Sequence, residues 1–238
     1  MKRKFFLIIL ALCFLLTACA ESQAPSGEKS TEPPIATEAV ASGVTYDSLH
    51  ADWPYYQNAE ALIERADVIF VGRITEIDFA VLNTANGMPA DASTERKFLY
   101  TLYKLEIEEV FKGDVTRIKY LKIDGGRKEV NVEKQLRLQR DHGLILESEA
   151  SIPILDASPY ITEITLDTPF LFVMAASQNP EMLLLLNPDQ SIYPLNAPTT
   201  PQEGISVQAI LSELGENVWL DFSKNWGEIS SSTDTRPR

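Results

Sequence analysis

The stretch from Val68 to Ile77, VIFVGRITEI, constrains the fold of this chain more than any other. It is continuously apolar at first and alternates later, which is typical of a strand buried on both faces and then on one. Gly72 lies in its middle, and the apolar alternation slips by one residue between Ile74 and Ile77. Both features predict a bulge or a sharp bend, as found where one strand serves two sheets or turns the corner of a barrel.

Further strands are predicted where apolar, β-branched and aromatic residues cluster between turn signals: 98–110, 118–123, 169–174, 182–186 and 192–195. A Lys-Gly-Asp turn at 112–114 separates the first two of these strands, so we expect them to form a β-hairpin. Residues 80–96 lack periodicity and contain an Asn-Gly turn signal, which predicts a long loop.

Short helices are predicted at both ends of this β-rich region. Asn58 is placed to cap a helix with apolar residues at 59, 62, 63 and 66, and Ser206 is placed to cap a second helix that ends at Gly215. Residues near 128–168 show little regular pattern, and we expect them to form a partly ordered insertion. Within it, residues 132–142 have a weak helical pattern. The outline is mainly β with two or three short helices, an α+β class.

The N-terminus has the pattern of an export signal. Three basic residues at 2–4 precede an apolar run from Phe5 to Leu16. As a helix this run spans about 18 Å, too short for a bilayer core of about 30 Å. A cationic start, a short apolar centre and small residues at the end predict a secretory signal peptide.

The end of that signal, Leu16-Thr17-Ala18-Cys19, resembles the lipobox of bacterial lipoproteins. The resemblance implies that the Cys19 thiol receives diacylglycerol and that a signal peptidase removes residues 1–18. Two or more acyl chains give lasting membrane attachment, whereas one binds only marginally. The expected location is therefore the cell membrane, with the protein held by its lipid and facing away from the cytoplasm.

Cysteine usage limits the chemistry of the mature protein. The chain contains two cysteines, Cys13 and Cys19. Cys13 would leave with the signal peptide and Cys19 would be acylated, so no internal disulfide and no free thiol ligand for a metal is expected. The folded body must then be stabilised by its core alone.

Composition divides the remaining chain into three parts. Residues 19–43 are rich in Ala, Ser, Thr, Glu and Pro, which predicts a flexible tether after the lipidated cysteine. Residues 44–222 are predicted to form a single globular domain, and 223–238 a disordered tail. The formal charge of −13, with 34 acidic against 21 basic residues, disfavours nucleic acid as a partner. A soluble, monomeric body is expected.

The order of four segments is similar to that of a known family. ADVIFVGRITEI (66–77), YTLYKLEIEEVFKGD (100–114), a strand ending in Gly-Gly, and TPFLFVM (168–174) resemble small bacterial lipoproteins whose body looks like a tissue-inhibitor-of-metalloproteinases or netrin-like module. The resemblance covers about residues 59–195 and implies an OB-like barrel of five to six strands. The animal inhibitors use disulfides and a free N-terminal cysteine on zinc, so inhibition of metalloproteases is not implied.

Motifs for catalysis, metals or cofactors are missing from the sequence. It contains no GxSxG, P-loop or HExxH pattern, and only two histidines, His50 and His142. Glu106, Glu108 and Glu109 are interpreted as part of a solvated strand face. No catalytic residue, no metal site and no cofactor is therefore predicted.

The aromatic residues of the predicted hairpin suggest a ligand face. Tyr100, Tyr103 and Tyr120 lie with Lys122 on the second and third strands, which OB-folds use for ligands. The alternative interpretation, which the residue types favour, is that these tyrosines pack in the barrel or hold cross-strand partners. Trp53 is interpreted as fastening the segment before the first helix onto the barrel.

Three functions remain open from the sequence. The leading hypothesis is a non-enzymatic, membrane-anchored envelope lipoprotein that binds a protein, peptide or glycan. The first alternative is a hydrolase acting on the cell wall with paired carboxylates. The second is a purely structural or regulatory envelope protein.

Overall fold

The computed structural model describes residues 43–155, 161, 164–195 and 205–226. The predicted signal peptide 1–18, the lipobox with Cys19, and residues 20–42 of the predicted tether lie outside the described residues. So do residues 227–238 of the predicted tail. Within the described ranges, no helix has the length and apolar character needed to cross a membrane.

The described part of the chain contains eight strands and four helices. The strands are β1 (Thr45–Leu49), β2 (Val68–Asn83), β3 (Lys97–Lys112), β4 (Tyr120–Asp124), β5 (Ser151–Leu155), β6 (Pro169–Ala176), β7 (Met182–Leu185) and β8 (Ile192–Pro194). The helices are α1 (Ala59–Arg65), α2 (Val132–Asp141), α3 (Val207–Leu214) and α4 (Glu216–Trp226). The predicted α+β class with a mainly β body is confirmed.

Six of the strands form one sheet in the order β2-β3-β4-β7-β6-β8, and β2 also pairs with β6. The pairings of β2, β3, β4, β7 and β6 therefore form a ring. Within this ring β4 and β7 are parallel, and the other pairs are antiparallel. β7 and β8 both lie along the edge of β6 that faces away from β2.

The predicted bend at Gly72 is confirmed. The register of β2 against β3 shifts between Val71 and Gly72, and again between Ile74 and Glu76, where the apolar alternation slips. A Cβ atom at Gly72 would lie 2.4 Å from the backbone oxygen of Glu106, so only glycine fits without a backbone shift. The bend lets residues 68–73 pair with β6 while the rest of β2 continues along β3.

Two large apolar clusters lie on opposite faces of β2 and β6. One cluster contains residues from all five strands of the ring and is centred on Phe70 and Phe172, whose rings stack 4.9 Å apart. The other cluster packs β2 and β6 against α1 and α3, and includes Leu62, Leu171 and Ile210. Burial of apolar side chains is the main favourable term in folding, so these clusters stabilise the described residues, which include no cysteine.

The predicted helix ends are also observed. The Asn58 side chain accepts a hydrogen bond from the backbone N–H of Ala61 at 2.9 Å, and that of Ser206 accepts one from Ala209 at 3.1 Å. Both are N-cap bonds, which satisfy donors that the first helical turn leaves free. The weak helical pattern at 132–142 corresponds to α2.

Two predictions were wrong, the start of the loop at 80–96 and the number of helices, and two features were missed, the β1–β5 pair and α4. β2 extends to Asn83, so 80–83 are strand and not loop, because the chain there pairs with β3 over its full length. The parallel pair β1–β5 was not predicted. α4 was also missed; it raises the helix count to four and continues into the predicted tail as far as Trp226. Phe222 of α4 is buried against the cluster that covers β2 and β6, which explains why this segment is ordered.

Candidate ligand-binding groove

A groove opens where β4 and β7 separate. The pairing of the two strands begins with Tyr120 opposite Met182 and ends with Lys122 opposite Leu184. Both strands continue beyond this last pair, but they no longer pair with each other. The groove has a volume of about 470 Å³. Its lining consists of three aromatic residues (Trp53, Phe98, Tyr100), four aliphatic ones (Ile123, Leu155, Leu184, Leu185) and three polar ones (Thr84, Lys122, Asp124).

The groove passes between the two faces of the sheet. Ile123 and Leu185 belong to the cluster inside the ring, whereas Tyr100 belongs to a small cluster on the outer face. Lys122 pairs with Leu102 of that outer cluster and lies on the same face. A ligand in the groove would therefore contact apolar walls from the interior and the charged side chain from the outside.

Lys122 is a largely buried lysine whose ammonium group lies over an aromatic ring. The residue is 9% exposed, and its Nζ lies 4.2 Å from the centroid of the Tyr100 ring. No acceptor among the described residues lies within hydrogen-bonding or ion-pair distance of this nitrogen. Burial lowers the pKa of Lys122, and the charge of Asp124 partly counteracts the effect. The nitrogen itself is not fully enclosed, since it is not among the buried side-chain atoms that lack a partner.

Trp53 contributes a second donor without a partner. Its Nε1 is the one buried side-chain nitrogen or oxygen that lacks a hydrogen bond among the described residues. Leaving a buried donor unsatisfied costs about 1–3 kcal/mol. The segment that follows is held to the β7–β8 turn, because Asn187 donates to the Pro54 carbonyl at 2.9 Å and Tyr56 exchanges two hydrogen bonds with Gln190. The backbone next to the indole is therefore anchored to the sheet.

The ring of Tyr100 lies beneath the ammonium group of Lys122. Its ring is 4% exposed and packs edge-to-face against Phe98, with 5.7 Å between the ring centroids. Burial, together with the charge of Asp124, raises the pKa of Tyr100 to about 12, so the phenol is neutral at physiological pH. The face of a neutral tyrosine attracts a cation, which accounts for the position of Lys122. Asp124 itself is exposed at the mouth of the groove.

The structure separates the four residues of the predicted ligand face. Tyr100 and Lys122 line the groove, and Tyr120 is half-buried on the same outer face of the sheet. Tyr103 does not share that face: it is 2% exposed inside the ring, near the guanidinium of Arg127. Side chains alternate along a strand, so residues 100 and 103 point to opposite faces. Tyr103 is therefore a core residue, and that part of the prediction was wrong.

Trp53 was missed as a groove residue by the sequence-based prediction. It was predicted to fasten the segment before α1, and it does pack against the interior cluster. Its position on the groove depends on chain segments more than 65 residues apart, from Trp53 to β4 and β7. No local pattern could have shown that its indole N–H lacks a partner.

A second depression, of about 360 Å³, lies beside β5. Its polar side chains are already paired, since Gln139 donates to the Ser151 carbonyl at 3.1 Å and the Ser151 hydroxyl donates to Asp47. It therefore has less to offer a ligand than the groove between β4 and β7.

The remaining polar candidates are involved in structural contacts. Glu108 accepts a hydrogen bond from Arg73 at 2.5 Å, and Glu106 lies exposed on the same strand. The ring nitrogens of His142 lie 2.8 Å and 3.2 Å from the carbonyl oxygens of Leu138 and Ala90. Among the described residues, no group of three or more potential ligands could hold a metal ion.

Neither a protein-family model nor a curated protein matches this chain. The function must therefore be argued from the residues of the groove and from the N-terminal sequence.

Proposed function

We propose that this chain is a bacterial lipoprotein of the cell envelope, anchored by lipid at Cys19, which binds a ligand in the groove between β4 and β7. The body acts as a binding module and not as an enzyme, and its ligand is a protein, peptide or glycan of the envelope. The open groove of about 470 Å³, in which Lys122 lies over the ring of Tyr100 between apolar walls, is the observation that carries the binding proposal. A concave site with mostly apolar walls and a few polar groups is typical of ligand binding.

The N-terminal sequence supports the anchoring part of the proposal. Basic residues, an apolar run of limited length and Leu16-Thr17-Ala18-Cys19 follow one another without a gap. The Pro-, Ser- and Glu-rich residues up to 43 are suited to keeping the folded body clear of the headgroups.

Anchoring is tested by replacing the cysteine of the lipobox. We expect Cys19→Ala to abolish lipidation, to leave an unprocessed precursor and to remove the acylated N-terminal peptide from the mass spectrum of the membrane fraction. Cys13→Ala is the matched control: its thiol lies in the apolar run, so processing and lipidation should be unchanged. A Cys19→Ala protein that is still cut before residue 19 and still acylated would contradict the proposal.

Occupancy of the groove is tested by photo-crosslinking in cells. A benzoylphenylalanine introduced at Thr84, exposed at the edge of the groove, should give a crosslinked envelope component. The matched position is Thr116, which is also exposed but lies in the turn between β3 and β4, away from the groove lining. We expect at least a tenfold higher yield of adduct at Thr84 than at Thr116. Equal yields would show that the groove is not a binding site.

A further inference from the structure

The groove between β4 and β7 adjoins the depression beside β5. Phe98 lines both of them. One face of β5 also runs along both, because Ser151 and Pro153 line the depression and Leu155 lines the groove. These three residues alternate along the strand with residues that point to its other side. The two concavities therefore follow one another along β5, over a length of about 13 Å.

The two ends of this combined site differ in charge. In the groove, Lys122 and Asp124 line the same space and their charges balance. The depression is lined by Asp47 and Glu149, and no cationic side chain among the described residues lines it. The guanidinium of Arg140 donates to the backbone carbonyl of Glu149, at 3.5 Å. The β5 end of the site therefore has an excess of negative charge.

Both carboxylates keep acceptor sites for a ligand. The Ser151 hydroxyl donates to Asp47, and the backbone N–H of Leu146 donates to Glu149 at 3.0 Å. An ionised carboxylate has about four acceptor sites, so these bonds leave capacity on each carboxylate. Both acidic residues are also exposed. A guanidinium or ammonium group can therefore reach them without displacing a bond that the fold uses.

The combined site fits an extended peptide better than a neutral glycan. Its apolar walls between β4 and β7 suit a bulky apolar side chain, and its acidic end suits a basic one. In an extended chain, side chains four residues apart point the same way and lie about 13 Å apart. That is the spacing of Ser151 and Leu155 on β5. A neutral glycan has no cation for the acidic end.

We propose that the combined site binds an extended segment of a partner protein. This segment carries a bulky apolar side chain in the groove between β4 and β7 and, four residues away, an arginine or lysine beside Asp47 and Glu149. The formal charge of −13 on the whole chain also attracts cationic segments. This inference rests on the proposed function and specifies the ligand of the same groove.

The test uses pentapeptides that are acetylated and amidated, so that only their side chains carry charge. The full-length protein in detergent is titrated calorimetrically with Phe-Ala-Ala-Ala-Arg, and with the same peptide carrying neutral citrulline or glutamate in place of arginine. We expect the arginine peptide to bind about fivefold more tightly than the citrulline peptide, and at least tenfold more tightly than the glutamate peptide. High salt should reduce both preferences.

The spacing of the two side chains is tested by moving the arginine. Phe-Ala-Ala-Arg-Ala has the same composition as the first peptide, but its arginine lies three residues from the phenylalanine. In an extended chain these two side chains point to opposite faces. We therefore expect this peptide to bind no more tightly than the citrulline peptide.

A double variant tests the acidic end of the site. Asp47→Asn with Glu149→Gln removes both charges but keeps an oxygen for the hydrogen bond that each residue accepts. It should bind the arginine and citrulline peptides equally. Glu64→Gln with Glu216→Gln is the matched control, because these exposed residues of α1 and α4 lie outside both linings. Binding is compared below the denaturant midpoint of the less stable double variant.

Four outcomes would overturn the inference. Equal affinity for the arginine, citrulline and glutamate peptides would exclude a basic ligand, as would the absence of measurable binding by all three. An undiminished preference in the Asp47→Asn, Glu149→Gln protein would exclude these two acids. Equal affinity for the two positions of arginine would show that the concavities do not act as one site.

The crosslinking experiment keeps this inference separate from the proposed function. If the Thr84 adduct forms but the arginine, citrulline and glutamate peptides bind equally, the proposed function stands and only the ligand class is wrong. If Thr84 and Thr116 give equal yields of adduct, the proposed function fails and this inference fails with it.

Discussion

Replacement of Gly72 by alanine is expected to lower the free energy of unfolding by about 3 kcal/mol. The added Cβ would lie 2.4 Å from the backbone oxygen of Glu106 and 3.3 Å from the Cα of Ile107. Both atoms belong to the backbone of β3, so the clash cannot be relieved by turning a side chain. β2 or β3 must shift at the bulge where β2 also pairs with β6, and ladder hydrogen bonds are lost there.

Denaturant unfolding of the full-length protein measures this effect, and Gly143→Ala is the control. Gly143 has a φ of +67° but nothing within 4 Å of an added Cβ, so its substitution has only the conformational cost of about 1 kcal/mol. The two variants therefore separate the steric cost from the cost of the backbone conformation. If Gly72→Ala were no more destabilising than Gly143→Ala, the close approach of β2 and β3 at the bulge would be wrong.

Replacement of Phe172 by alanine should lower the free energy of unfolding by about 4 kcal/mol, since truncation of a buried phenylalanine leaves a cavity. Phe172 is fully buried and lies between two strands of the sheet, opposite Phe70 of β2 and Ile192 of β8. Its ring stacks on Phe70 and lies 5.9 Å from that of Phe170. The loss therefore affects the centre of the cluster inside the ring.

The same unfolding measurement checks the second prediction. Leu220→Ala on α4 serves as the control, because Leu220 is 46% exposed and its truncation should cost less than about 1 kcal/mol. Phe172→Leu, which keeps most of the volume, should fall between the two. A Phe172→Ala protein as stable as Leu220→Ala would mean that the ring of five strands does not enclose a packed core.

Features that depend on neighbouring residues were predictable from the sequence. The bend at Gly72, the hairpin of β3 and β4, and the caps at Asn58 and Ser206 all appear where the local pattern indicates them. Each depends on a steric requirement or a hydrogen bond within a few residues, which any fold of this chain must satisfy. The α+β class follows from the same patterns, because the spacing of apolar residues and the positions of turn residues indicate helices and strands.

Pairings between distant segments were not predictable in this way. β1 and β5 pair in parallel although about 100 residues separate them, and neither has a distinctive pattern of its own. The orientation of Tyr100 and Tyr103 was different, because residues three apart on a regular strand point to opposite faces, and the sequence alone could have shown this.

The sequence alone therefore determined most of the element types and the need for a bend in β2, because these depend on local chemistry, and it is the basis of the proposed lipid attachment at Cys19. Only the tertiary structure decided that the β4–β7 ladder ends at Lys122, and that Trp53 and this lysine line the same groove. Whether a buried donor has a partner depends on which distant segments surround it. That property belongs to the packed chain and not to any stretch of its sequence.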